Sequence, residues 1–158
     1  NDFSVNRPFV FNRKAFDKRL QEDWIHCYVQ KVPISLILIE VKDFKIFNED
    51  KGSVQGDECM KSISQVLKKH IKDRILLARY GGAMFALLYA GFSEEQIEQA
   101  AQDISDDILA LKINHPTTES GFVEVLTGTA SVHPANEPGS QALLQQADQA
   151  LALTRIDA

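Results

Sequence analysis

Few side chains in this 158-residue chain could do chemistry, and their placement limits what that chemistry could be. Glu40 closes the apolar run Ile34-Ser35-Leu36-Ile37-Leu38-Ile39, with Lys42 two residues on along the same strand face. A carboxylate there can bind a hard cation, pair with a lysine or cap the next turn. Asn48 falls where a short helix ends. Asp57 falls in the first turn of the next, where its charge suits the helix dipole. Lys45 on its own reads as a solvated helix lysine, and Lys68, Lys69, Lys72 and Arg74 as the solvated face of another helix. Cys27 and Cys59 sit in separate helical patterns and the four histidines share no ligand spacing, so neither a disulfide nor a metal pair is expected. The densest local pattern is Arg79-Tyr80-Gly81-Gly82-Ala83-Met84-Phe85, a two-glycine joint between two apolar runs. Gly-Gly between strands predicts a tight primed-turn hairpin with both central residues at positive φ. After the glycines, Ala83 and Met84 can neither carry charge nor take a proton.

The elements that must hold these residues follow from periodicity. Residues 1–11 have no period and read as an extended lead-in, with the domain proper at 12–158. Asn12 is a candidate N-cap with Phe11 and Phe16 as a staple, opening a helix whose stripe is Phe16, Leu20, Trp24, Cys27 and Tyr28. Pro33 breaks it, and the run from Ile34, apolar on both faces, predicts a central covered strand. A short helix over Phe44–Asp50 ends near Gly52, and a longer one opens around Ser53. The hairpin spans about 75–90. Ser93-Glu94-Glu95-Gln96 is a capping box for a helix through Ile97, Ala101, Ile104 and Ile108. A loop at 115–121 precedes a strand over Phe122–Val132, where Gly128 could kink it, and Ser140 starts a last helix through Leu143, Leu144, Ala147 and Leu151. This order predicts an α/β sandwich with a single central mixed sheet of about five strands flanked by helices.

Composition narrows the partners. The chain is 44% hydrophobic and 25% charged with a net charge of −5, an ordinary globular profile that argues against nucleic acid and anionic membranes. No apolar run approaches the ~20 residues of a membrane span. The chain starts at Asn1 rather than Met, so it is expected to be a fragment of a larger protein, cytoplasmic or the cytoplasmic part of a membrane-anchored one.

The hairpin sequence resembles Arg-Tyr-Gly-Gly-Asp-Glu-Phe, the signature of the GGDEF family of bacterial diguanylate cyclases. Leu38-Ile39-Glu40-Val41-Lys42-Asp43-Phe44-Lys45-Ile46-Phe47-Asn48 with Gly56-Asp57-Glu58 is similar to that family's Asp-x-Asp-x-Phe-Lys-x-x-Asn and Gly-Asp-Glu motifs, and Ala147-Asp148-Gln149-Ala150-Leu151 to its closing Ala-Asp-x-Ala-Leu. The N-terminal Asp-x-Leu-Thr-Gly-Leu turn is absent apart from Asn12-Arg13. The resemblance implies that Asn48 and Asp57 read a guanine edge, that Phe44 and Lys45 meet phosphates, and that Arg155 stands for a phosphate-binding lysine. It also implies metal ligands at Glu40, Lys42, Ala83 and Met84, of which only Glu40 is still a carboxylate. The inhibitory Arg-x-x-Asp motif reads Lys72-Asp73-Arg74-Ile75, so cyclic di-GMP is not expected there.

These readings converge on an inactive GGDEF domain that regulates or interacts within cyclic di-GMP signalling. It would bind GTP or GDP weakly without a cofactor, and partner with other domains, another protein or a second copy. One alternative is an active cyclase placing a single Mg²⁺ on Glu40 and backbone oxygens. Another is a nucleotide-free dimerisation scaffold. Neither nucleic acid nor membrane contact is expected of the domain.

Overall fold

The structure, a computed structural model, describes residues 9–135 and 139–157. In chain order the elements are β1 (Val10–Phe11), α1 (Arg13–Gln30), β2 (Ile34–Val41), α2 (Phe44–Lys51), α3 (Ser53–Lys68), β3 (Ile75–Gly81), β4 (Met84–Ala90), α4 (Glu94–Leu109), β5 (Val125–Val132) and α5 (Gln141–Asp157). The strands form one five-stranded sheet in the order β1-β3-β4-β2-β5. Its only parallel pair among the described residues is β1 with β3, so the expected mixed sheet is nearly all antiparallel.

β2 lies between β4 and β5 and is covered by helices on both faces, which explains why its run is apolar throughout. Ile37, Ile39 and Val41 pack under α3 and α4, with Phe47 of α2 in the same cluster. Leu36 and Leu38 pack under α1 and α5. Local caps hold as the sequence predicts. Asn12 accepts from the Ala15 amide at 2.8 Å, and Ser93 and Gln96 form the reciprocal capping box. The α1 stripe is buried except for Tyr28, which turns outward. The two thiols are free and buried on opposite sides of the sheet. Among the described residues no helix is long and apolar enough to cross a membrane.

Three local expectations change. Of the lead-in, residues 1–8 lie outside the described residues, and Val10–Phe11 join the sheet beside Leu77 and Ala78. Neither Gly81 nor Gly82 has positive φ, so the joint is not the expected primed turn. The ladder instead shifts register between Arg79 and Gly81, and Gly81 pairs with Met84 across Gly82-Ala83. That bulge supplies local twist that a primed turn would otherwise provide. The Arg79 guanidinium folds back over the turn, donating to the carbonyls of Gly81 and Gly82. Gly128 does not interrupt the β2–β5 register. It admits α5 instead, since a Cβ there would lie 2.5 Å from both the Ala147 carbonyl oxygen and the Leu151 nitrogen.

Candidate functional site

The residues singled out above gather where β2 ends beside the hairpin turn. The Val41 amide donates to the Ala83 carbonyl at 2.9 Å, so strand end and turn are tied by backbone. The chain then reverses through Asp43, a non-glycine residue at φ 50 whose side chain caps nothing, into α2. Ala83 leans on the α3–α4 cluster and Met84 on the α1–α5 cluster, so both are partly sunk into packing.

On the α2–α3 face lies an open groove of about 670 Å³, lined by Phe44, Lys45, Asn48, Glu49, Ser53, Gly82 and Ala83. Phe44 stacks on Phe47, with ring centroids 5.9 Å apart, which fixes the groove wall to the core. The Asn48 side chain lies against Gly56: a Cβ on that glycine would be 1.8 Å from Asn48 Oδ1. Oδ1 itself is buried and has no hydrogen-bond partner among the described residues. A buried amide oxygen normally finds a donor; this one faces the Gly56 backbone, so a ligand could use it only if the Asn48 side chain turned toward the groove. Asp57 follows Gly56 at the same helix junction, but it is exposed and does not line the groove.

On the α1–α5 face the chemistry differs. Glu40 continues the Leu36–Leu38 alternation, and Arg155 in the last turn of α5 forks onto its carboxylate. The Arg155 Nε donates at 3.1 and 3.2 Å to the two oxygens, and a terminal nitrogen donates to Oε1 as well. Those hydrogen bonds hold the Arg155 pKa above its ordinary value, with Asp148 adding a further negative charge nearby. The sequence allowed Glu40 a lysine partner; the partner is an arginine. Lys42 pairs with Glu124 at 3.9 Å instead.

The side chains at the strand end offer a divalent ion few ligands. Metal sites for Mg²⁺ need several oxygen ligands. Here Ala83 and Met84 offer no side-chain donor, Glu40 is engaged by a guanidinium, and Lys42 adds positive charge. Among the described residues no three His, Cys, Asp or Glu side chains group as a metal site.

The sequence reading missed His115, which is buried beneath the β2–α2 turn. Its Nδ1 accepts from the Thr117 amide at 3.1 Å, which leaves Nε2–H to donate to the Asp43 carbonyl at 3.0 Å. His115 thus fixes the carbonyl of the strained turn residue. The only sequence signal was a histidine directly before Pro116, which is weak. The Lys72–Ile75 window runs from the turn after α3 into the first residue of β3 and lines a second depression with Phe11 and Arg19, so Lys69, Lys72 and Arg74 lie past the end of α3 and not on the expected helix face.

A five-stranded mixed sheet under helices, with a groove at the end of its interior strand β2 and a glycine hairpin at the rim, defines an α/β sandwich domain. The family profile described as the diguanylate cyclase GGDEF domain matches residues 9–155, and the chain belongs to that family. It is 25% identical over 146 residues to the diguanylate cyclase DosC of Escherichia coli K12, covering 92% of this chain and 31% of DosC. The chain spans about a third of the length of the curated relatives it matches. The GGDEF domain of DgcB from Caulobacter crescentus, solved with c-di-GMP, superposes with a TM-score of 0.86 at 22% identity, covering 99% of this chain and 90% of that one. Diguanylate cyclase SiaD of Pseudomonas aeruginosa, solved with its activator SiaC, gives a TM-score of 0.80 at 20% identity, over 98% of this chain and 60% of that one. At those identities the likeness is one of fold. A place in the cyclic di-GMP signalling family follows from the profile.

Proposed function

We propose that this GGDEF domain makes no cyclic di-GMP and works as a regulatory or interaction module of a larger signalling protein on the cytoplasmic side. The observation that carries this reading is the end of β2. The hairpin offers Ala83 and Met84 where the family places acidic residues, and the remaining carboxylate, Glu40, is forked by Arg155. Joining two GTP molecules needs a cation to offset charge at the reacting phosphate, and losing such stabilisation costs orders of magnitude in rate. Incubating the purified domain with GTP and Mg²⁺ or Mn²⁺ should yield no cyclic di-GMP. Product whose formation is abolished by Glu40→Ala would falsify the reading in favour of a one-metal cyclase.

The open groove, with Asn48 and Lys45 in its lining, supports a second part of the reading: GTP or GDP binds weakly, with guanine preference. An amide can serve the guanine edge, and Asp57, exposed outside the groove lining, would have to turn toward it to accept from the guanine N–H groups. With no metal donor set, binding should depend little on Mg²⁺. Calorimetric titration tests this; equal affinity for ATP, or GTP affinity unmoved by Asp57→Ala, sinks it and leaves a nucleotide-free scaffold.

A further inference from the structure

We infer that Glu40 is an internal stand-in for phosphate, masking the Arg155 guanidinium from anionic ligands until the pair opens. The inference rests on the nucleotide reading above and adds to it a phosphate-binding cation on the other side of the same strand end, outside the groove lining. Arg155 presents Nε and a terminal nitrogen to the Glu40 carboxylate, the planar fork that guanidinium also uses for phosphate oxygens. The two partners are unequally exposed: the Arg155 side chain is 46% accessible, that of Glu40 23%. A solvent anion can therefore reach the cation while the carboxylate stays partly sunk against the sheet.

Two further features make the pair a mask rather than a spare surface contact. The other cation at the end of β2, Lys42, is likewise matched to an internal carboxylate, Glu124. Among the described residues Lys45, in the groove, is in no ion pair. The strand end thus holds two cations suited to a phosphate chain, each already answered by a glutamate. Solvent-exposed pairs of this kind are weak, so a polyphosphate can displace the carboxylate. Its apparent affinity is reduced by the fraction of time the cation is engaged. Seating is the second feature. Gly128 lets the α5 backbone sit directly on β5, which holds the last turn of α5, and with it Arg155, over the strand end.

The test is titration of the chain in chelator with inorganic tripolyphosphate and, separately, with GTP. Glu40→Gln and Glu40→Ala should tighten tripolyphosphate binding by about fivefold, the scale of one exposed ion pair. Arg155→Ala should remove that gain, and the double variant should match Arg155→Ala alone. The mask is overturned if neither Glu40 variant binds more tightly, if the gain survives Arg155→Ala as a general charge effect, or if no variant binds tripolyphosphate at all. Melting curves of each variant confirm that the fold is intact. The GTP arm separates the two readings. GTP binding that depends on Asp57 but ignores Glu40 leaves the guanine pocket and removes the mask. A tripolyphosphate gain with no preference for GTP over ATP does the reverse.

Discussion

At the end of β2 the α2–α3 side of the sheet is open, and the α1–α5 side is tied shut. The open side keeps a groove, a stacked aromatic wall and a buried amide oxygen without a partner. The tied side has its carboxylate and its cations matched to one another. Both sides hang on the same strand, so the difference is not one of fold. Shape is carried by packing, which tolerates substitution at the rim. Charge chemistry is carried by a few side chains, here Glu40 with Arg155 and Lys42 with Glu124.

Glycine-to-alanine changes on the two sides test this contrast most strongly. At Gly128 the added Cβ meets backbone atoms of α5, which cannot swing away. Gly128→Ala should cost about 3 kcal/mol, a fall of roughly 6–12 °C in Tm. At Gly56 the Cβ meets only the tip of Asn48, which can turn aside. Gly56→Ala should therefore cost about 1 kcal/mol or less, while GTP loses its advantage over ATP in calorimetry. The contrast breaks if Gly56→Ala melts lower than Gly128→Ala.

A smaller effect is expected from restoring Ala83→Asp with Met84→Glu. Glu40 and Met84 are paired across β2 and β4, so a glutamate at 84 would oppose Glu40 directly. In chelator the double variant should lose about 1–2 kcal/mol, seen as a Tm lower by roughly 2–8 °C. An unchanged Tm would mean that Arg155 can serve both carboxylates.

Arg79→Ala should matter less, since its hydrogen bonds to the turn carbonyls are exposed. A loss under about 1 kcal/mol is expected, with faster amide exchange at Gly82 and Ala83 while the groove keeps its affinity for GTP.

The smallest effect is a slope with pH. Burial pushes the thiols of Cys27 and Cys59 from 9.0 up to about 11. Between those values the unfolded chain releases protons that the folded chain retains, so stability falls as pH rises and is fully present below about 9. Melting curves from pH 8 to 10.5 should flatten in the variant carrying Cys27→Ala and Cys59→Ala, after allowing for its lower starting Tm.

The parts of the fold that were legible rest on local chemistry. The Asn12 cap, the Ser93–Gln96 box and the doubly apolar β2 each follow from residues within a few positions of one another. The family motifs located the strand end and the turn. Long-range partners were not legible. Arg155 is 115 residues from Glu40, and nothing in spacing chooses an arginine there over a lysine. β1 is two residues long and shows no period, so only its pairing with β3 reveals it. The turn was misjudged because Gly-Gly signals freedom of conformation, and the bulge beside Tyr80 made positive φ unnecessary. Nor does the sequence mark Gly128 as the seat of α5, because that need arises only when the helix arrives.

His115 has a consequence for motion. Asp43 sits at φ 50 with no cap of its own, a conformation that costs of order 1 kcal/mol in an ordinary residue. Its carbonyl is fixed by an imidazole from the loop after α4, and the same loop is closed by the Asn114–Phe122 bridge. Opening α2 at its first turn breaks that hydrogen bond, so the helix and the loop are coupled through His115. In native-state hydrogen exchange the amides of residues 44–51 and 115–123 should exchange with one common free energy, below that of β2. The floor of the groove would then breathe as a single cooperative unit while the sheet beneath it stays closed.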